Sequence, residues 1–332
     1  MTDALLEVRD LVVSFATLRG SVQVLDRVAF QVGEGEVVGL VGESGSGKSV
    51  TALSIMRLLG DQGTIDAGEV RFEGRDLVSL PERELRAVRG RRIAMVFQEP
   101  MTSLNPVFAV GFQVAEVLVE HLGLAAREAR ARAVELLRRV GIPAAERRAR
   151  DYPHQLSGGM RQRVMIAMAM ACRPRLMNAD EPTTALDVTI QAQILTLMRD
   201  LGRESGTAVL LITHDLGVIA GMASRVIVMY AGQVVEEAPV RELFLRPLHP
   251  YTRLLLASIP RVSEKRPRLS AIPGAIPAPT ALPEGCRFHP RCPDAVALCR
   301  EAAPALEFHG PARRVRCWRA AEAAPPVAAI GS

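Results

Sequence analysis

The chain has 332 residues, 48% hydrophobic and 23% charged, with a formal net charge of +5, a length that suits about two domains with material for a full core. Its apolar residues come in short pieces, the longest running from Val164 to Cys172, far short of the ~20 residues that span a bilayer as a helix. Asp3, Glu7 and Asp10 stand near the start with no basic-then-apolar pattern, so no secretory signal is expected. The chain is read as cytoplasmic, with any membrane contact made through a partner.

In chain order, Val28–Val32, a turn over Gly33–Glu36 and the apolar run Val37–Val41 predict a hairpin-like pair of strands. The next eight residues, Gly42, Glu43, Ser44, Gly45, Ser46, Gly47, Lys48 and Ser49, match G-x-x-x-x-G-K-[ST], and Val50–Met56 reads as the first turns of a helix. Backbone N–H groups of such a loop cradle phosphates at a helix N-terminus, leaving Ser49 to hold Mg²⁺. The lysine is informative by its rarity. The chain has 41 Lys and Arg, yet only Lys48 and Lys265 are lysine. A phosphate loop has room for a compact ammonium, not for a planar guanidinium fork.

Further on, Glu69–Glu73 alternates polar and apolar before Gly74, and Ile93–Phe97 is short and apolar; both read as strands. From about 100 to 172 the periodicity becomes helical. Val110, Val114, Val117 and Leu118 share one face, as do Ala133, Leu136, Leu137 and Val140, before Gly141 and Pro143 stop that helix. Strands return at Leu176–Ala179, Ala208–Thr213 and Arg225–Tyr230, with a helix predicted over Thr189–Leu201. The alternation predicts an α/β sheet with an inserted helical subdomain.

Carboxylates for an NTPase follow the strand at 176–179. Asp180 at a strand end can hold Mg²⁺ opposite Ser49, and Glu181 can orient the attacking water. His214, after Leu210–Thr213, can contact the γ-phosphate, and Gln98, after the strand at 93–97, offers an amide to metal or water. Leu156–Met160 holds a second phosphate-binding shape, with Ser157 as N-cap, Gly158 and Gly159 permitting close approach, and Arg161–Arg163 opening a helix. One nucleotide cannot use two such loops of one chain, so two chains set head to tail are expected, each lending this loop to the other.

Phosphate loop, Gln98, Ser157-Gly158-Gly159, Asp180-Glu181, Asp187 and His214 together resemble the motif series of an ABC transporter ATPase over residues 5–260. The longer strings Gln98–Pro106, Ala179–Val188 and His249–Thr252 resemble the oligopeptide/dipeptide importer branch, which includes nickel and some sugar importers. The resemblance implies a RecA-like P-loop NTPase core of α/β class with an antiparallel β subdomain, a helical subdomain and a cysteine-containing C-terminal extension. It implies ATP sandwiched between the loop from Gly42 to Val50 and a partner's Ser157-Gly158-Gly159. Asp187 would contact the partner, Phe15 would stack on adenine, and Gln98 would link the site to the helical subdomain that grips the membrane subunits. The implied partners are a second ATPase subunit (copy or paralogue), two membrane permeases and an extracytoplasmic solute-binding protein, on the cytoplasmic face of the membrane. An ABC ATPase acting on nucleic acid is the alternative, and it usually needs a coiled-coil insertion or a second cassette. Asn178 stands where the resemblance predicts an aliphatic residue and is expected to find hydrogen bonds locally.

Residues 1–260 are thus read as the ATPase domain and 261–332 as an extension. From Arg261 onward there are 11 basic and 6 acidic residues, with half of the 22 prolines and four of the five cysteines. That excess suits a solvated surface, or docking to acidic lipid or a partner. Cys286, Cys292, Cys299 and Cys317 lack zinc-finger spacing, and disulfides are disfavoured in the cytoplasm. The segment Gly285–Cys292 resembles the C-terminal extension of peptide-importer ATPases, some of which carry a 4Fe–4S cluster there. Iron–sulfur, zinc and no metal remain open. Cys172 is read as an ordinary buried residue.

Overall fold

The computed structural model describes residues 4–18, 20–184, 186–259 and 272–320. Its strands are β1 (Leu6–Thr17), β2 (Gly20–Val32), β3 (Val37–Val41), β4 (Gly63–Phe72), β5 (Arg75–Asp76), β6 (Ile93–Val96), β7 (Leu176–Asp180), β8 (Ala208–Ile212), β9 (Arg225–Tyr230), β10 (Gln233–Pro239), β11 (Glu307–Phe308) and β12 (Arg314–Val315). The chain forms two compact units. One contains Val32–Glu36 and Ser79–Ile212 with residues 4–5; the other contains Leu6–Gln31, Val37–Val78 and the described residues from Thr213 onward.

In the first unit β6, β7 and β8 run parallel, with Ile93 opposite Leu176 and Leu176 opposite Ala208. Every residue of β7 and β8 is buried, as expected for parallel strands covered on both faces. The helices include Val110–Leu122 and Ala126–Arg139, as the periodicity predicts, and Gly158–Met170 and Val188–Ser205. The last buries Ile194, Leu195, Met198 and Leu201. Leu197, between them, is only half-buried.

The second unit holds an antiparallel sheet in the order β2-β1-β4-β5 and a further group of strands. In that group β3 is parallel to β9, β9 antiparallel to β10, and β12 lies between β10 and β11. The expected hairpin of 28–32 with 37–41 is therefore wrong: β2 belongs to the antiparallel sheet, while β3 pairs β9. The burial explains the split. β2 carries exposed and buried residues in turn, whereas β3 is buried from Val38 to Val41 and suits a covered parallel position.

The tail builds onto this unit. Arg314-Val315 pairs with Glu236-Glu237 of β10, and Arg313 meets the fully buried Glu236 at 2.6 Å. Glu236 also accepts the N–H groups of Leu248 and His249, both at 2.9 Å. Removing one partner of such a buried pair strands a charge, at about 3–5 kcal/mol.

Asn178 departs from expectation. It is fully buried in β7, opposite Met95 and Leu210, and neither amide atom has a hydrogen-bond partner among the described residues. Both flanking ladders use backbone groups, and the side chains opposite it offer nothing polar. An unsatisfied buried amide costs about 1–3 kcal/mol. Asn178→Leu, close in volume, is therefore expected to raise the thermal unfolding midpoint; an unchanged or lower midpoint in a melting experiment contradicts this account.

Candidate functional site

The second unit carries the phosphate loop between β3 and the helix Lys48–Ile55. Two glycines are required there by space. Gly42 has φ 155°, and a Cβ would lie 2.3 Å from the Met229 carbonyl oxygen; Gly47 has φ 104°, and a Cβ would lie 2.7 Å from Leu25 Cδ2. The loop is tied down by Ser46 N–H to Glu43 O (3.2 Å) and Gly232 N–H to Ser46 O (2.9 Å). Lys48 is only 5% exposed, and its Nζ donates to the Gly42 carbonyl at 2.8 Å and to the Glu43 carbonyl at 3.0 Å. These carbonyls belong to the same turn, so the ammonium sits inside the loop. Ser46 Oγ is buried with no protein partner among the described residues. Ser49 and Val50 are half-buried, and Ser44 and Gly45 are exposed. Phe15, half-buried on β1, lies opposite Gly63. His214 is exposed just after Thr213, whose N–H donates to Leu40 O at 3.2 Å.

The first unit carries the carboxylates. Asp180 ends β7 and is 6% exposed. Glu181 follows in a left-handed conformation, φ 45°, its N–H donating to Ile212 O at 2.9 Å. A non-glycine residue held there costs roughly 1–3 kcal/mol and persists only where its surroundings dictate it. Its carboxylate accepts from Gln98 Nε2 at 3.2 Å and from Thr184 Oγ1 at 2.8 Å. Gln98 and Glu181 are thus brought together as their motif order suggests. Thr184 was not singled out from sequence, although its place three residues after Glu181 was the available signal.

Ser157 caps the helix Gly158–Met170, accepting from Met160 N–H at 3.4 Å, and Ser157 and Gly158 are exposed. Asp187 caps the helix Val188–Ser205 through Ile190 N–H at 2.9 Å. A Cβ on Gly159 would meet Ile190 Cγ2 at 2.8 Å. The cap therefore holds the residue that leaves Gly159 no room for a side chain.

Two tail-side features were missed. Tyr251, in the string His249–Thr252, is fully buried, and its hydroxyl accepts the Glu43 N–H at 2.9 Å. Burial pushes the His249 pKa down to about 3, so the imidazole is neutral and its Nδ1 accepts Tyr251 N–H at 3.1 Å. Arg291 also reaches Glu43. Arg291 stands inside the segment Gly285–Cys292 that resembles the family's C-terminal extension, but nothing in that segment tied it to Glu43.

Cys286, Cys292, Cys299 and Cys317 line one narrow cavity together with His249 and Asp294. Burial raises the pKa of Cys286, Cys292 and Cys317, Cys292 to about 11, so these thiols are protonated at neutral pH. Among the described residues no group of three or more His, Cys, Asp or Glu side chains could hold a metal ion. The expected iron–sulfur or zinc ligand set is accordingly not seen among the described residues, although the four thiols line one space. Cys172 is half-buried and its pKa is raised by burial, in keeping with an ordinary thiol.

The family model for ABC transporters matches residues 25–184, and the one for the oligopeptide/dipeptide transporter C-terminal region matches residues 235–299. The oligopeptide transport ATP-binding protein AppD of Bacillus subtilis is 54% identical over 95% of this chain and 96% of its own length. The chain belongs to the ABC transporter ATP-binding proteins of the oligopeptide/dipeptide type. Its relatives include OppD of Salmonella typhimurium, an oligopeptide transport ATP-binding protein 50% identical over 96% of this chain and 95% of its own. DppD of Haemophilus influenzae, a dipeptide transport ATP-binding protein, is 50% identical over 95% of each. A dimeric ATP-binding cassette in a post-hydrolysis state, bound to ADP and Pi, superposes with a TM-score of 0.64 at 32% identity, covering 71% of this chain and 99% of that one. The RecA-like P-loop NTPase class is thereby established, and the antiparallel sheet and helical insertion of this ABC protein are those described above.

Lys48 sits among carbonyls spaced for a single ammonium. Lys48→Arg is therefore expected to weaken ATP binding nearly as much as Lys48→Ala, measured by nucleotide titration; arginine-variant affinity close to wild type contradicts the spatial argument.

Proposed function

We propose that this chain is the ATP-hydrolysing subunit that powers an ABC importer of di- or oligopeptides. The observation that carries the reading is the Lys48-centred phosphate loop in a chain 54% identical, nearly end to end, to an oligopeptide transport ATP-binding protein. The named relatives favour the importer over an ATPase acting on nucleic acid. Residues 1–260 form the ATPase domain, with the helical subdomain at about 100–170, and 261–332 form the extension. Among the described residues no helix is long and apolar enough to cross a membrane. Attachment at the cytoplasmic face runs through two permease subunits, served by an extracytoplasmic solute-binding protein, a reading supported by the transport names of the relatives.

The reaction is transfer of the γ-phosphoryl group to water, driven by positioning and charge stabilisation. N–H groups from Gly42 through Val50 receive the phosphates, Lys48 adds its point charge, and Phe15 stacks on adenine. Ser49, Asp180 and Gln98 suit Mg²⁺, being oxygen donors, and the ion supplies charge neutralisation on the phosphates. Glu181 accepts the proton of the attacking water, with His214 orienting it. A second ATPase subunit, copy or paralogue, contributes its own Ser157, Gly158 and Gly159 to this nucleotide and meets Asp187.

Glu181→Gln loses the base and keeps the loop. Turnover is expected to fall at least 10²-fold with ATP affinity retained and ATP-bound subunit dimers accumulating by size-exclusion chromatography. Hydrolysis within a few-fold of wild type removes Glu181 from this role.

Cys286, Cys292, Cys299 and Cys317 are the residues that would hold a metal centre in the tail, a 4Fe–4S cluster ahead of Zn²⁺. Support comes from their lining of one cavity and from thiolate softness. Such a centre would be structural, stapling a segment with little apolar core of its own. Anaerobic purification is expected to yield bound iron and sulfide, or zinc; well-folded protein without any of them sinks the idea.

A further inference from the structure

Glu43 is the only acidic side chain of the loop from Gly42 to Ser49, and it sits where an incoming ligand brings several negative charges. Left unpaired, its carboxylate would oppose every phosphate the loop receives. It is paired from the tail. Arg291 Nη1 donates to Glu43 Oε2 at 2.8 Å and Nη2 to Oε1 at 3.0 Å. This is the two-pronged geometry that makes arginine–carboxylate contacts both strong and directional.

The guanidinium is itself fixed on every side. Its side chain is 6% exposed. Nε donates to Pro273 O at 2.7 Å, Nη2 reaches Gly274 O at 3.4 Å, and Nη1 reaches Tyr230 Oη at 3.4 Å. The charge lies 5.7 Å from the Tyr230 ring centroid, within cation–π range. Tyr230 packs against Tyr251 and Phe288 at 4.8 and 5.1 Å between ring centroids, a rigid floor beneath the pair. Glu43 is thereby held at three points: its carboxylate by Arg291, its N–H by Tyr251 Oη (2.9 Å) and its carbonyl by Lys48 Nζ (3.0 Å).

We infer that Arg291, carried on the cysteine-bearing tail, is a positioning residue for ATP. It neutralises and orients Glu43, so that the phosphate loop is completed by a residue 248 positions downstream. The inference rests on reading residues 42–49 as the ATP loop. A mere staple between tail and core would produce the same contacts, and the two roles differ in one respect. If the charge of Glu43 is what Arg291 offsets, removing that charge makes Arg291 dispensable for binding.

The test is a double-mutant cycle on the full chain, with Mg-ATP affinity by isothermal titration calorimetry and unfolding midpoints alongside. Arg291→Ala is expected to raise the Kd for ATP about tenfold, and Glu43→Gln combined with it to return the Kd to within about threefold of wild type. In steady-state hydrolysis the Arg291 variant should raise KM about tenfold with kcat within twofold. Where the alanine variant does not fold, Arg291→Gln keeps donors and most of the volume while removing the charge, and the same rescue is expected. An unchanged Kd in the Arg291→Ala or Arg291→Gln variant, or a raised Kd that Glu43→Gln does not restore, overturns the inference and leaves Arg291 a structural tie. Wild-type protein that binds no ATP would instead bring down the reading of the loop itself.

Discussion

A phosphate loop gathers one ammonium and a row of backbone N–H groups at a single helix end, a concentration of positive charge that the protein must hold in shape. Here the holding is done from within the turn, by the carbonyls of Gly42 and Glu43 around Lys48. Gly42 and Gly47 adopt backbone conformations that leave no space for a Cβ. An arginine at 48 would bring five donors in a plane to a cage built for a point charge. That geometry explains why a chain with only two lysines keeps one of them at this position.

The carboxylate side of the chemistry rests on a different constraint. β7 is buried along its whole length, so its end delivers Asp180 at the rim of a rigid parallel ladder. The chain then turns through the left-handed Glu181, whose carboxylate is aimed by Gln98 and Thr184. The strain at Glu181 and the unsatisfied amide of Asn178 lie three positions apart on one strand and its exit. Both cost stability, and the proposed role of Glu181 gives a use only to the first.

The tail is bound to the second unit by ion pairs as well as by the packing of Phe288 on Tyr230 and Tyr251. Arg313 with Glu236, Arg314 with Glu237, Arg287 with Asp26 and Arg291 with Glu43 all join tail arginines to acids far upstream. A small apolar group of Leu248, Val315 and Ala320 adds to them. The basic excess beyond residue 260, which invites a reading as a lipid or partner surface, is thus substantially consumed inside the chain.

The sequence alone determined the local features. Glycine spacing with Lys48 dictates a phosphate loop, the short stretches at 37–41, 93–97, 176–179 and 208–213 read as strands, and Ser157 reads as a helix cap because capping is a local hydrogen bond; that Asp187 also caps a helix came from the structure. Tertiary structure decided whatever depends on partners distant in the chain. It separated β2 from β3 into different groups of strands, left Asn178 without a partner, and arranged four thiols around a cavity with no metal ligand set seen among the described residues. It also brought Tyr251 and Arg291 to Glu43 across 208 and 248 residues. Periodicity and motif spacing record what a residue does with neighbours a few positions away. An ion pair closed over more than two hundred residues leaves no trace in spacing, and exists only because the folded sheet and its aromatic floor bring the two charges within 3 Å.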